Sequence, residues 1–143
     1  MPVPGDLLHG ASQDDASKAM YALDAALADA GIAARELACD QRGFAVEVAG
    51  WPLGVGVHLE DGLLRAQAPV CGPGQVDPHE LLHDHRKRPF VRFSHCAAGS
   101  VWVEGELPIV AAGDQRLVDA MLGGLLAAAE LARERATAGH DAE

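Results

Sequence analysis

Between residues 44 and 70 the chain alternates with a period of two, and this stretch constrains the fold more than any other. Phe44, Val46 and Val48 are separated by Ala45 and Glu47. Leu53, Val55, Val57 and Leu59 alternate with Gly54, Gly56 and His58, and Leu64, Ala66, Ala68 and Val70 carry the same rhythm onward. Successive strand side chains point to opposite faces, so each run presents one apolar face and one polar or small face. Asp61-Gly62 lies between the last two runs, and Asp-Gly suits a two-residue turn whose central residues both take positive φ. The stretch is therefore expected to be an antiparallel meander with one buried face. Residues 33–37 are expected to extend its first edge.

Helices must cover that face. Ala16, Met20, Leu23, Leu27 and Ala30 recur at steps of four and three, which predicts a helix over 13–30. Ser12 and Asp15 form a box-like start, and Gly31 suits the position just past the end. Asp77-Pro78 opens a short second helix that Pro89 terminates. Residues 90–93 and 101–108 read as two further strands joined by a turn at 97–100. The last helix is expected over 114–135. Leu117, Val118, Met121, Leu122, Leu125, Leu126, Ala129 and Ala132 form its wide apolar face, with Asp119, Glu130, Arg133 and Glu134 on the other side. The expected architecture is a two-layer α+β fold, an antiparallel sheet with helices packed on it, in the order α-βββ-α-ββ-α. Residues 12–135 form its single domain, with 1–11 and 136–143 as loose ends.

Composition narrows the function. With 21 acidic and 11 basic residues the net charge is −10, which opposes direct nucleic-acid binding and favours attraction of a basic partner. No apolar run approaches the ~18 residues of a membrane span, and the N-terminus lacks the pattern of a signal peptide. Three cysteines make a disulfide framework unexpected and point to a reducing cytoplasm.

The sharpest chemical motif is His79-Glu80-Leu81-Leu82-His83, an HExxH match. In zinc hydrolases two histidines four apart on a helix bind metal while the glutamate activates water. Here Glu80 also fits the third helical position behind Asp77, an ordinary start. Leu81 and Leu82 define a face from which His79 and His83 turn away. Arg86 stands where the longer motif needs glycine, and no third ligand is in a recognised position. A zinc hydrolase is therefore the alternative reading; the favoured one has no catalytic residue, no metal and no cofactor.

Other features read as structure. Cys39 and Cys71 lack metal-type spacing and are expected to be small buried residues. His95 and Cys96, adjacent on a strand, point to opposite sides and form no nucleophile–base pair. Gly54-Val55-Gly56 has no following helix, so it is no dinucleotide loop; it suits a close approach by a helix or a partner backbone. Arg86-Lys87-Arg88, with Arg92 nearby, is expected to offset a helix C-terminus and stay solvated, the last-ranked alternative being a basic anion or nucleic-acid contact. Trp102 alternates with Val101 and Val103, so one of the two sets points away from the core, and Trp102 is either an exposed binding contact or a core residue. Gly123-Gly124 costs the last helix roughly 2 kcal/mol relative to two alanines, which a close neighbouring backbone would explain.

The run PFVRFSHCAAGSVWVEGELPI, followed by an aspartate and a leucine-rich terminal helix, resembles the YbjN family of bacterial proteins. The element order is also similar to the type III secretion chaperone fold with which that family is grouped. The resemblance implies a non-enzymatic, chaperone-like or regulatory protein, acidic and homodimeric, that holds an extended segment of a partner protein. It also implies that the second helix and neighbouring strands make the dimer or partner contacts, here Leu81, Leu82, Val101, Trp102 and Val103. The expected partners are thus a second copy and an unidentified, basic protein, without nucleic acid or membrane.

Overall fold

The computed structural model describes residues 4–77, 81, 89–96 and 98–141. Helix α1 (Pro4–Asp29) leads into strands β1 (Arg35–Ala38), β2 (Gln41–Val48), β3 (Trp51–Glu60) and β4 (Leu63–Cys71). After a segment in which Leu81 is helical come β5 (Val91–His95), β6 (Val101–Pro108) and the closing helix α2 (Gln115–Asp141). This is the expected α+β arrangement, with residues 35–38 supplying the anticipated edge strand.

All six strands join one antiparallel sheet in the order β1-β2-β3-β4-β6-β5. Strand β6 is inserted beside β4, so β5 becomes the outer edge. The Asp61-Gly62 turn forms as anticipated, with φ of 52° and 75°. A second turn of the same kind, Ala49-Gly50, joins β2 to β3 with φ of 52° and 94°. Ala49 accepts the left-handed conformation without glycine's freedom, because Val48 and Trp51 are fixed partners in the ladder.

The inner sheet face carries the alternating residues read from the sequence. Leu53, Val57, Leu64, Ala68, Val103 and Leu107 are at most 1 % exposed. Helix α2 crosses this face over β6, β4, β5 and β2, and α1 lies against α2. Gly105 makes the crossing close: a Cβ there would lie 2.8 Å from Met121 Cγ. Gly124 behaves similarly, its Cβ position lying 3.2 Å from Val91 Cγ2, whereas Gly123 faces open space. The glycine pair is thus half explained by close packing.

Helix ends follow local chemistry. Ile32 N–H donates to Leu27 O at 2.9 Å and Gly31 N–H to Ala28 O at 3.0 Å, a Schellman closure around Gly31 at φ 73°. Asp114 caps α2 by accepting from the Arg116 N–H at 3.0 Å. Both helices run farther than their periodicity suggested. Pro4, which lacks an N–H, is an apt first residue for α1. At the other end Ala136 is 5 % exposed, so α2 still has core to cover beyond residue 135. Ala30 leaves the expected stripe because it lies beyond the last helical residue and is exposed.

Arg133 requires the largest correction. Expected on the polar side of α2, it is 4 % exposed. Its guanidinium donates to the carbonyls of Val70 (2.9 Å), Val48 (3.0 Å), Trp51 (2.8 Å) and Pro52 (3.1 Å). It also lies 4.9 Å from the centre of the Trp51 ring. No ion pair among the described residues involves it. Carbonyl dipoles and an aromatic face replace the water it has lost.

Candidate partner-binding groove

A groove of about 420 Å³ runs between α1 and the strands beside it. From the helix come Ala16, Ser17, Met20, Tyr21 and Asp24. The opposite wall is made by Cys39 and Asp40, in the β1–β2 turn, and by Leu59 near the end of β3. Met20 is anchored in the core at 7 % exposure, while Tyr21 is 79 % exposed and stands at the rim. Leu37 of β1, 58 % exposed, lies away from the groove, against Gly43 on the outer sheet face.

Arg42 holds the two walls at their distance. It continues the inward alternation of β2 and so points at α1 instead of solvent. Nε and Nη2 donate to both carboxylate oxygens of Asp24, at 2.9 and 3.2 Å. Nη1 donates to the carbonyls of Ala38 and Gln41 at 2.9 and 3.1 Å, fixing the turn. The hydrogen bond to Asp24 holds this guanidinium above its ordinary pKa. Asp24 is therefore neutralised within the chain. Asp40 is not: its backbone carbonyl accepts from Leu59 N–H, and no hydrogen bond or ion pair among the described residues reaches its carboxylate.

The opposite sheet face carries a charge ladder across four strands. Glu60 contacts His58 at 2.9 Å and Arg65 at 3.3 Å. Arg65 reaches Glu106 at 3.2 Å; Arg92 reaches Glu106 at 2.9 Å and Glu104 at 3.1 Å. Arg92, read as part of a solvated basic cluster, is thus matched by two carboxylates. Arg86, Lys87 and Arg88 lie outside the described residues. Beside the ladder, the Cβ positions of Gly54 and Gly56 meet nothing within 4 Å, so no described element makes the close approach expected there.

The expected contact residues divide by face. Val101 and Val103 are 5 % and 0 % exposed, on the inner face under α2, and Leu81 is 2 % exposed. Trp102 points to the outer face, half-buried, opposite Pro69 and Ser94. Leu82 lies outside the described residues, as do His79, Glu80 and His83 of the HExxH segment. Among the described residues no group of three or more His, Cys, Asp or Glu could hold a metal.

Cysteine placement corrects another expectation. Cys39 is exposed, because it sits in a turn and not on the inner face of a strand. Cys71 is half-buried, and burial pushes its thiol above the ordinary value. The exposed Cys96 thiol is held below its usual value by the backbone amides of Ala98 and Ser100. No helix among the described residues is long and apolar enough to cross a membrane.

The sequence signalled neither the groove nor its bolt. Tyr21 lay off the apolar stripe, and Arg42 had the look of an ordinary polar strand residue. The one available hint was that Arg42 shares the parity of Phe44, Val46 and Val48, which places it on the buried face.

No family model matches the chain and no curated protein does, so the narrower YbjN likeness rests on the quoted residues alone. Solved structures do match. A chain of the crystal structure of the ExsC–ExsE complex superposes with a TM-score of 0.62 at 20% identity, covering 83% of this chain and 93% of that one. A chain from the structure of the Yersinia pestis type III secretion chaperone SycH, in complex with a stable fragment of YscM2, gives a TM-score of 0.53 at 18% identity. That match covers 80% of this chain and 98% of the other. The likeness is one of fold, and the fold this chain shares is the chaperone-like one.

Proposed function

We propose that this chain is a noncovalent protein-binding module, chaperone-like in action, that holds a segment of a partner protein in the groove beside α1. The observation that carries the reading is the groove itself. It offers Tyr21 and Leu59 as apolar contacts on walls held apart by the Asp24–Arg42 pair. Aromatic side chains that are both exposed and rigidly based are favoured anchors for a partner. The shared fold supports the reading, since both solved neighbours are recorded in complexes with another protein.

Site-specific crosslinking tests it. A photoreactive phenylalanine analogue at position 21 is expected to capture a defined partner in the native cell. The same analogue at Val110, which is 72 % exposed in the β6–α2 connection, is the control. Equal capture at the two positions, or none at position 21, refutes the groove as the binding surface.

The working unit is a homodimer whose second copy meets the outer sheet face. Trp102 is the one described member of the expected contact set that faces away from the core, and uncovered Gly54 and Gly56 lie on the same face. Native mass spectrometry of the 14.9 kDa chain is expected to show the dimer, and Trp102→Arg to shift it to monomer. A monomer before substitution refutes this arrangement.

A further inference from the structure

Two carboxylates line the groove, and they differ in one respect that bears on what can bind. Asp24 is consumed by a bidentate contact with Arg42, whereas the Asp40 carboxylate has no partner among the described residues. The groove floor between them is apolar, built from Met20 and Leu59 with Tyr21 at the rim. A free carboxylate beside an apolar floor is matched by a ligand that supplies an apolar side chain and a cation a short distance apart. The net charge of −10 draws the same ligand from solution and repels an acidic one.

Resting on the groove reading above, we infer that the segment bound there is an extended peptide in which an apolar side chain is followed within two residues by lysine or arginine. The apolar side chain sits against Met20, Tyr21 and Leu59, and the cation pairs with Asp40. Two residues along an extended chain span about 7 Å and return to the same side, which is the spacing a single groove wall can read.

The test uses four synthetic twelve-residue Gly/Ser peptides carrying Leu-Gly-Lys, Leu-Gly-Gln, Ser-Gly-Lys or Leu-Gly-Glu. Each is titrated into the isotope-labelled full chain while the Tyr21 and Asp40 amide resonances are followed. The Leu-Gly-Lys peptide is expected to bind about three- to fivefold tighter than Leu-Gly-Gln, the range of a solvent-accessible ion pair. Asp40→Asn should erase that difference without changing affinity for Leu-Gly-Gln. Asp40→Lys should reverse it, favouring a Leu-Gly-Glu peptide. The amide spectrum of each variant reports directly that it is folded.

Equal affinity of the Leu-Gly-Lys and Leu-Gly-Gln peptides, unchanged in Asp40→Asn, overturns cation selection and leaves the groove reading standing. Equal binding of Ser-Gly-Lys and Leu-Gly-Lys reduces the effect to diffuse attraction and also overturns the inference. If no leucine peptide moves the Tyr21 and Asp40 resonances, the groove reading falls and this inference with it. Shifts at the same amides on dilution, without peptide, would assign the groove to a second copy and overturn the inference.

Discussion

Replacing Arg133 by methionine should remove about 2–4 kcal/mol of stability, and the figure follows from where its four acceptors lie. The contacts to Val70 and Val48 carbonyls are buried, while those to Trp51 and Pro52 are partly open. Water can replace the donor at the open pair, so their loss is nearly neutral. The buried pair cannot be rehydrated, and each unsatisfied carbonyl costs about 1–3 kcal/mol. Against this, methionine relieves the desolvation that already pulls the guanidinium below its ordinary pKa. Methionine also keeps most of the side-chain volume, so no large cavity term enters. The loss should lower Tm by roughly 6–16 °C for a chain of this size. Urea unfolding followed by tryptophan fluorescence measures it. Arg133→Lys should retain less than half of the wild-type advantage, because one ammonium cannot serve acceptors spread over β2, β3 and β4. If Arg133→Met is as stable as wild type, the desolvation of the guanidinium outweighs its carbonyl contacts and the reasoning fails.

The neighbouring glycines of α2 should respond differently. Gly123→Ala, facing open space, should stabilise by about 1 kcal/mol in thermal unfolding, whereas Gly124→Ala should gain nothing because its Cβ presses on Val91. Gly105→Ala should cost about 1–3 kcal/mol, since Met121 is fully buried and must move to admit a methyl group; unchanged stability would show that the helix can lift freely. Asp114 is held below the usual carboxylate range first by its hydrogen bond with the Arg116 side chain and then by the Arg116 backbone. A carboxyl lowered in the folded state stabilises above its unfolded pKa and loses that effect as pH falls through its folded value. Asp114→Ala should therefore lower the urea midpoint at pH 7, and the gap from wild type should close as pH falls below the carboxylate range.

Much of this fold was legible because it is written in short-range repeats. A period of two put Leu53, Val57 and Val103 on one face and Trp102 on the other. Asp61-Gly62 and Gly31 mark positions where positive φ is required, and the structure places both there. These features depend on residues a few positions apart, whose side-chain directions the backbone geometry alone dictates. Where the local signal was weaker, the reading was less accurate. Helix α1 begins at Pro4 and α2 runs to Asp141, because a helix can continue past its apolar stripe wherever capping and propensity allow.

The candidate site belongs to a different class of information. Arg42 meets Asp24 across 18 positions of sequence, and Arg133 meets Val70 and Val48 across 63 and 85. No periodicity within either element encodes such meetings, and average behaviour sends an arginine to solvent. The sequence by itself determined which segments are strands, the Asp61-Gly62 turn and the two-residue alternation of the strands. Tertiary structure decided that β6 inserts beside β4, that two arginines are buried, and that Asp40 faces a groove with no partner among the described residues. The physical reason is that burying a charge is favourable only when distant parts of the chain deliver its acceptors together.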